Sequence, residues 1–208
     1  LSGVVNVVTR DGGPKFEGSL SLGGSSYYTD NTDIFVGLDP SINTSQDIKF
    51  SLGGPVIGDK VTFFSNVRVQ TNNGHLNGLR LFEVDNFSNF YSDDSTTWFS
   101  EKTGDSSYVS MNSSNNLSAL FKLSFNLFNG IRFSTLYSHS NDSWQGYDHS
   151  FKYNPDGRST DHKVTNYFAF QLNQMFSQKL FYELKYSVVD NGYGCLLYTS
   201  DAADDLYR

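Results

Sequence analysis

Most of what marks an enzyme or a helical membrane protein is missing from this chain. Its 208 residues contain no run of 18 apolar residues, which excludes a transmembrane helix. No Gly-rich phosphate loop, zinc-type His/Cys spacing or nucleophile elbow appears, so enzymatic activity is the least favoured reading and no cofactor is expected. A net charge of −7 without any basic stripe disfavours nucleic acid as a partner. The four prolines leave few hard breaks, and the single cysteine gives no disulfide information either way. The chain opens with Leu1 and carries no signal peptide; it reads as an internal piece, so that absence says nothing about export.

What the chain does have is aromatic residues (16%), 18 glycines and a recurring two-residue period, with a mean hydropathy of −0.42. The clearest stretch is 46–70, QDIKFSLGGPVIGDKVTFFSNVRVQ. Ile48, Phe50 and Leu52, then Val61, Phe63, Val67 and Val69, fall on one face, and Lys49, Ser51, Asn66 and Arg68 fall on the other. Such alternation marks an antiparallel sheet with one apolar and one polar face. Gly53, Gly54, Pro55 and Gly58 are expected to supply the turn between the two strands.

The same period returns in 15–24, 117–126, 131–138, 164–173 and 180–188, which makes about seven strands of roughly 9–11 residues. Phe121, Phe125, Phe133, Phe170 and Leu184 share the apolar register, while Leu120 breaks the rule. Lys49, Arg68, Lys122, Arg132, Glu183 and Lys185 all take the polar one. Connections alternate long and short: 25–45, 55–60, 71–116, 127–130, 139–163 and 175–178. All short links therefore fall at one end of the sheet. A sandwich has no reason to keep that asymmetry, whereas outer-membrane barrels have short periplasmic turns and long extracellular loops. Low overall hydropathy is compatible with a barrel, because each strand is only half apolar. Tyr27, Tyr28, Phe128, Tyr137, Phe176 and Tyr186 are expected near strand ends, at the level of an interfacial girdle.

Several segments resemble those of TonB-dependent outer-membrane receptors. SGVVNVVTR (2–10) resembles the last strand of their plug, DGGPKFEGSLSLGG (11–24) the crossover into the first barrel strand, and SLGGPVIGDKVTFF (51–64) the first periplasmic turn. NNGHLNGLRLF (72–82) and YDHSFKYNPDG (147–157) resemble early extracellular loops of the large members that carry an N-terminal carboxypeptidase-regulatory-like domain. The resemblance implies an all-β chain: residues 1–14 end the plug domain and its linker, and 15–194 form the first strands of an antiparallel transmembrane β-barrel of 22 strands. Residues 195–208 (CLLYTSDAADDLYR) abandon the alternation and resemble adapter-derived read-through. The implied partners are outer-membrane lipid, a ligand of unknown identity, and an inner-membrane energy-transducing complex that pulls on a plug segment preceding Leu1. A piece this size, with open edges in hydrocarbon, is not expected to transport anything by itself. A passive porin or adhesin barrel and a secreted β-sandwich binding module are the competing readings.

Candidate ligand contacts are the loop aromatics Trp98, Tyr108, Trp144 and Tyr147, with His149, because flat apolar rings beside Asn and Asp suit carbohydrate, peptide or siderophore surfaces. His75, His139, His149 and His162 are irregularly spaced and read as loop histidines. Asp93, Asp94, Glu101 and Asp105 lack the ligand order of a calcium loop.

Overall fold

The structure, a computed structural model, describes residues 9–38, 44–128, 130–177 and 180–196. The stretch expected to end a plug (2–8), Asn129, Gln178 and the tail from residue 197 lie outside the described residues.

The chain is all-β. Its strands are β1 (Glu17–Ser25), β2 (Ser45–Ile57), β3 (Val61–Asn72), β4 (Asn77–Leu79), β5 (Ser88–Asn89), β6 (Phe99–Ser100), β7 (Tyr108–Ser110), β8 (Ser114–Phe128), β9 (Ile131–Trp144), β10 (Thr160–Ser177) and β11 (Leu180–Leu196). Seven of them form one antiparallel sheet in the order β1-β2-β3-β8-β9-β10-β11, a meander in which every strand pairs with its sequence neighbour in the sheet. The sheet is not closed, and β1 and β11 are its edges. The remaining four make two small pairs, β4 with β7 and β5 with β6, inside the loop between β3 and β8.

Pairing keeps the apolar register intact across the whole sheet. Leu20 faces Phe50, which faces Val67, which faces Ala119. Phe125 faces Phe133, then Leu172, then Leu184. A slip of one residue anywhere would send a strand's apolar set to the other face, so this continuity fixes the register. Aromatic pairs run along the same face: Phe63 with Phe16 and Phe121, and Phe133 with Phe125 and Phe170.

Burial runs opposite to that of a soluble sheet. Phe50, Phe121 and Leu184 on the apolar register are 45%, 43% and 61% exposed. The buried side chains of the sheet, Thr62, Lys122, Ser124 and Leu136, all lie on the polar register. Residues 9–13 provide the cover. They cross the polar face so closely that a Cβ on Gly12 would come within 2.1 Å of the Phe63 carbonyl oxygen, while Gly53 makes room from the strand side. Gly12→Ala is therefore expected to lift this segment off the sheet, at a cost of about 1–2 kcal/mol. Faster hydrogen exchange confined to residues 9–13 would show it.

Two expectations are corrected. Gly53, Gly54 and Pro55 are not turn residues: they sit in β2 opposite Phe64, Phe63 and Thr62, and the turn is residues 58–60 with Gly58 at φ +53°. The two glycines serve close packing instead, Gly53 under Gly12 and Gly54 under the Phe16 ring. Pro55 lies past the end of β1, whose pairing stops at Glu17 with Gly53, so its missing N–H spoils no ladder there. Second, the strands are longer than the alternation suggested, reaching 18 residues in β10 and 17 in β11. Polar residues on the same register as the apolar set, such as His139, Asn166 and Asp190, continue the ladder where hydropathy gives out. Tyr137 and Tyr186 consequently lie mid-strand rather than at strand ends. β11 itself runs on through Cys195 and Leu196, which pair with Asp161 and Thr160.

The apolar band has inclined edges. Towards the long loops its last unbroken members on β1, β2, β3 and β8 are Leu22, Ile48, Val69 and Leu117, all in one row of pairs. On β9, β10 and β11 they are Tyr137, Phe168 and Val188, a row level with Phe121, four residues lower; Val164 recurs above Asn166. At the opposite edge, the β2–β3 turn closes at Val61, level with Phe125 and hence with Leu184, whereas the β10–β11 turn closes at Leu180, again four residues lower. Both edges step the same way. With a rise of about 3.4 Å per residue and strands about 4.8 Å apart, the strands cross the band at roughly 35–40°.

Candidate functional site

Two arrangements stand out: a charged anchor on the polar face and a cap made by the long loops. The anchor centres on Asp11. Lys122 from β8 lies 2.8 Å from its Oδ1, Ser124 donates to the same oxygen at 2.7 Å, and Arg132 from β9 pairs with Oδ2. Lys122 Nζ also donates to the Thr9 carbonyl oxygen at 3.2 Å and the Thr9 hydroxyl at 3.0 Å. Burial pushes the Asp11 carboxyl up, but the hydrogen bonds from Lys122 and Ser124 and the charges of Lys122 and Arg132 outweigh it, leaving the group below its ordinary value of 3.8. Next to it, Arg10 pairs with Glu17 and sits 5.9 Å from the centre of the Phe64 ring.

The cap is built from 26–38, 73–113 and 145–159. Its hub is Arg80, whose guanidinium grips Asp156 with Nε at 2.5 Å and Nη2 at 3.2 Å, and reaches Asp105 at 3.2 Å and the Ser107 hydroxyl at 3.0 Å. The hydrogen bonds to Asp156 raise the Arg80 pKa, and bonds from Ser107 hold Asp105 below the usual carboxylate range. Backbone bonds join the same two loops: Leu79 N–H donates to Lys152 and Leu81 and Phe82 to Tyr153. Met111 and Pro155 are fully buried between them, with Gly78 too tightly placed against Met111 and Lys152 to accept a side chain. The third loop is tied in by Asn77, which donates to the carbonyls of Val36 and Gly37. The 73–113 excursion is thus tied to its neighbours by Arg80, Asn77, backbone bonds and the buried Met111, not by its exposed aromatics.

Arg80→Ala is expected to release this hub at about 1–2 kcal/mol and to leave the sheet unchanged. Hydrogen exchange would speed up at Leu79, Leu81 and Phe82 but not at β8 or β9. Arg80→Lys is expected to recover little, because an ammonium cannot make the two-pronged contact.

The five aromatic and histidine positions singled out from sequence are dispersed through this cap. Tyr147 and His149 are together, the phenol hydroxyl 2.8 Å from His149 Nδ1. Beside them Asp148 caps a 3-10 turn through Ser150, whose bonds lower its pKa, and pairs with Arg158 at 3.1 Å. Trp144 ends β9, with its ring 6.3 Å from that of Tyr193. Tyr108, in β7, lays its ring where Gly37 leaves room. Trp98 stands apart, edge-on to Phe90, with its indole N–H donating to the Ser92 carbonyl. Among the described residues, no three His, Cys, Asp or Glu side chains gather as a metal would require.

Sequence reasoning missed Arg80, Asp156 and Asp11. Arg80 and Asp156 carried a faint signal: histidines aside, Arg80 is the one charged side chain in 72–82, and Asp156 is one of three in 147–157. Asp11 carried none, because its partners lie 113 and 121 residues away. No protein-family model, curated protein or solved structure matches the chain.

Proposed function

We propose that the seven-stranded sheet is part of the wall of an outer-membrane β-barrel, and that the protein is a TonB-dependent receptor that takes up a ligand into the periplasm with energy from the inner membrane. The observation that carries the membrane reading is the inverted burial: an apolar face exposed across all seven strands, backed by a polar face that holds the buried side chains. A patch that extends over a whole sheet is far larger than a water-facing surface carries without a partner. Acyl chains suit it, because they ask for apolar area without any specific shape. The inclined band supports the same reading, since strands of membrane barrels tilt by about 35–45°. So does the link asymmetry: the β2–β3, β8–β9 and β10–β11 links are each two or three residues long, and the β1–β2, β3–β8 and β9–β10 links at the other end of the sheet are far longer.

The receptor reading, as against a passive porin, is supported by residues 9–13. They run along the polar face, anchored through Asp11, before the chain enters β1. A segment that reaches the wall from the inside fits a domain housed in the bore; a porin needs none. The loop cap and its aromatics, Trp98, Tyr108, Trp144, Tyr147 and His149, then lie on the outer surface where a ligand arrives. About seven strands of a 22-stranded barrel fit the family's size.

Spin labels placed one at a time from Tyr182 to Val188, with Cys195 replaced by Ser, test the lipid contact in the full protein reconstituted in vesicles. Even positions are expected to be accessible to oxygen and odd positions to a water-soluble nickel reagent. Even positions shielded from both would mean protein cover, and equal access to nickel would mean water; either result removes the barrel. The receptor assignment has its own test. The reading frame upstream is expected to encode a plug and an energy-coupling box, and a signal peptide directly before Leu1 would point to a porin.

A further inference from the structure

Within the cap, the hairpin of β5 and β6 leaves five aromatic rings in solvent: Phe87, Phe90, Tyr91, Trp98 and Phe99, with Tyr91 97% exposed. Two strands of two residues each would not hold such a display. Side-chain bonds hold it instead. Asn86 Oδ1 accepts from the N–H of Glu83 and Thr103, and its amide donates to the Thr103 hydroxyl at 2.6 Å. Glu101 accepts from Phe87 N–H at 2.8 Å, and the hydroxyls of Ser88 and Ser100 meet at 2.7 Å. Asp94 caps the 3-10 turn Ser95–Thr97, and Trp98 is pinned to Ser92. The backbone that carries the rings is thus held before anything binds, and the Trp98 indole with it, which removes part of the entropy cost of association.

The surroundings of these rings are acidic. The stretch 83–101 contains Glu83, Asp85, Asp93, Asp94 and Glu101 and no Lys, Arg or His. Asp94 and Glu101 are used inside the hairpin, while Asp85 and Asp93 have no side-chain partner among the described residues. Like charge argues against nucleic acid and anionic lipid. A sugar platform is disfavoured by geometry: the ring pairs are inclined, Phe87–Phe99 at 55° and Phe90–Trp98 at 86°, and the indole N–H is already used. Inclined aromatic knobs are the usual anchors of a protein contact, and carboxylates beside aromatic faces favour guanidinium and ammonium groups.

We infer that the 83–101 hairpin is a docking surface for a polypeptide whose contacting segment combines Arg or Lys with apolar side chains. The inference stands on the loop alone and does not need the sheet to face lipid.

The test uses the full chain in detergent, panned against a phage-displayed library of random dodecapeptides, with a Phe90→Ser/Tyr91→Ser variant and an Asp85→Asn/Asp93→Asn variant in parallel. Selected peptides are expected to be enriched in Arg and Lys together with apolar residues. Fluorescence anisotropy of the strongest one is expected to show at least tenfold weaker binding to the Ser variant. Binding to the Asn variant is expected to weaken several-fold and to lose most of its salt dependence. Unchanged hydrogen exchange at Phe87 and Glu101 would show that the hairpin persists in both. No enrichment over detergent alone, enrichment of acidic peptides, or equal binding to the Ser variant would overturn the inference, as would binding of cello-oligosaccharide in place of peptide.

Discussion

Phe121→Arg is expected to destabilise the lipid-inserted protein by about 2–4 kcal/mol, a shift of roughly 30- to 1,000-fold in its folding equilibrium. Phe121 lies near the middle of the apolar band, between Ser65 and Tyr137 in its row and stacked against Phe63. In hydrocarbon an Arg there must bury a charge or snorkel past two or three residues to reach the interface. In water the same change would cost little beyond the lost ring contacts, because the position is already 43% exposed. The control is Asn66→Arg, on the polar register next to Arg68, which is expected to change stability by less than about 1 kcal/mol. Urea titration of the protein in neutral vesicles, followed by tryptophan fluorescence, measures both. A pair of variants with equal, small effects would mean that the apolar face meets water or protein.

That contrast depends on a feature legible in the sequence, and it shows what kind of information alternation carries. Ile48, Phe50, Leu117, Phe121, Phe133 and Leu184 could be assigned to one face because a strand's period is short and rigid, and pairing then had to align those faces. Link asymmetry was equally readable, since it depends only on where alternation stops. What alternation cannot show is the length of a strand beyond its apolar part. β9 and β10 run on through His139, Asn141 and Asn166, whose backbone pairs as well as any other while their side chains send the opposite message. Gly53 and Gly54 misled for a related reason. Next to Pro55 they read as a turn, and their true use depends on Gly12 and Phe16, more than 35 residues earlier in the chain. Of the cap, the aromatic content was visible, but the contacts that organise it, Arg80 to Asp156 and Asn77 to Val36, join different loops. A single sequence does not mark such pairs.

Asp11→Ala is expected to detach residues 9–13 from the sheet and to cost about 1–3 kcal/mol, because it leaves Lys122, which is 7% exposed, without its counter-charge. The figure falls short of a fully buried pair because Asp11 itself is partly open to solvent. Adding Lys122→Met to Asp11→Ala is expected to recover part of the loss, since the stranded charge is then gone; this non-additivity separates an ion-pair anchor from two independent contacts. Acid should act like Asp11→Ala. The carboxyl is held below 3.8, so its contribution is fully present above that value and is lost as pH falls through the lowered folded pKa. The detachment is therefore expected only below about pH 4, and Asp11→Asn is expected to show it at neutral pH. Labelling of a Gly13→Cys probe, in a chain with Cys195 replaced by Ser, reports the release: slow in the parent at pH 7 and faster in Asp11→Asn. Equal rates would mean that glycine packing at Gly12 and Gly53, rather than charge, holds the segment. On the receptor reading proposed above, that distinction decides how far tension on an upstream domain would travel: a charged anchor at Asp11 would stop it before β1 and leave the strands in register.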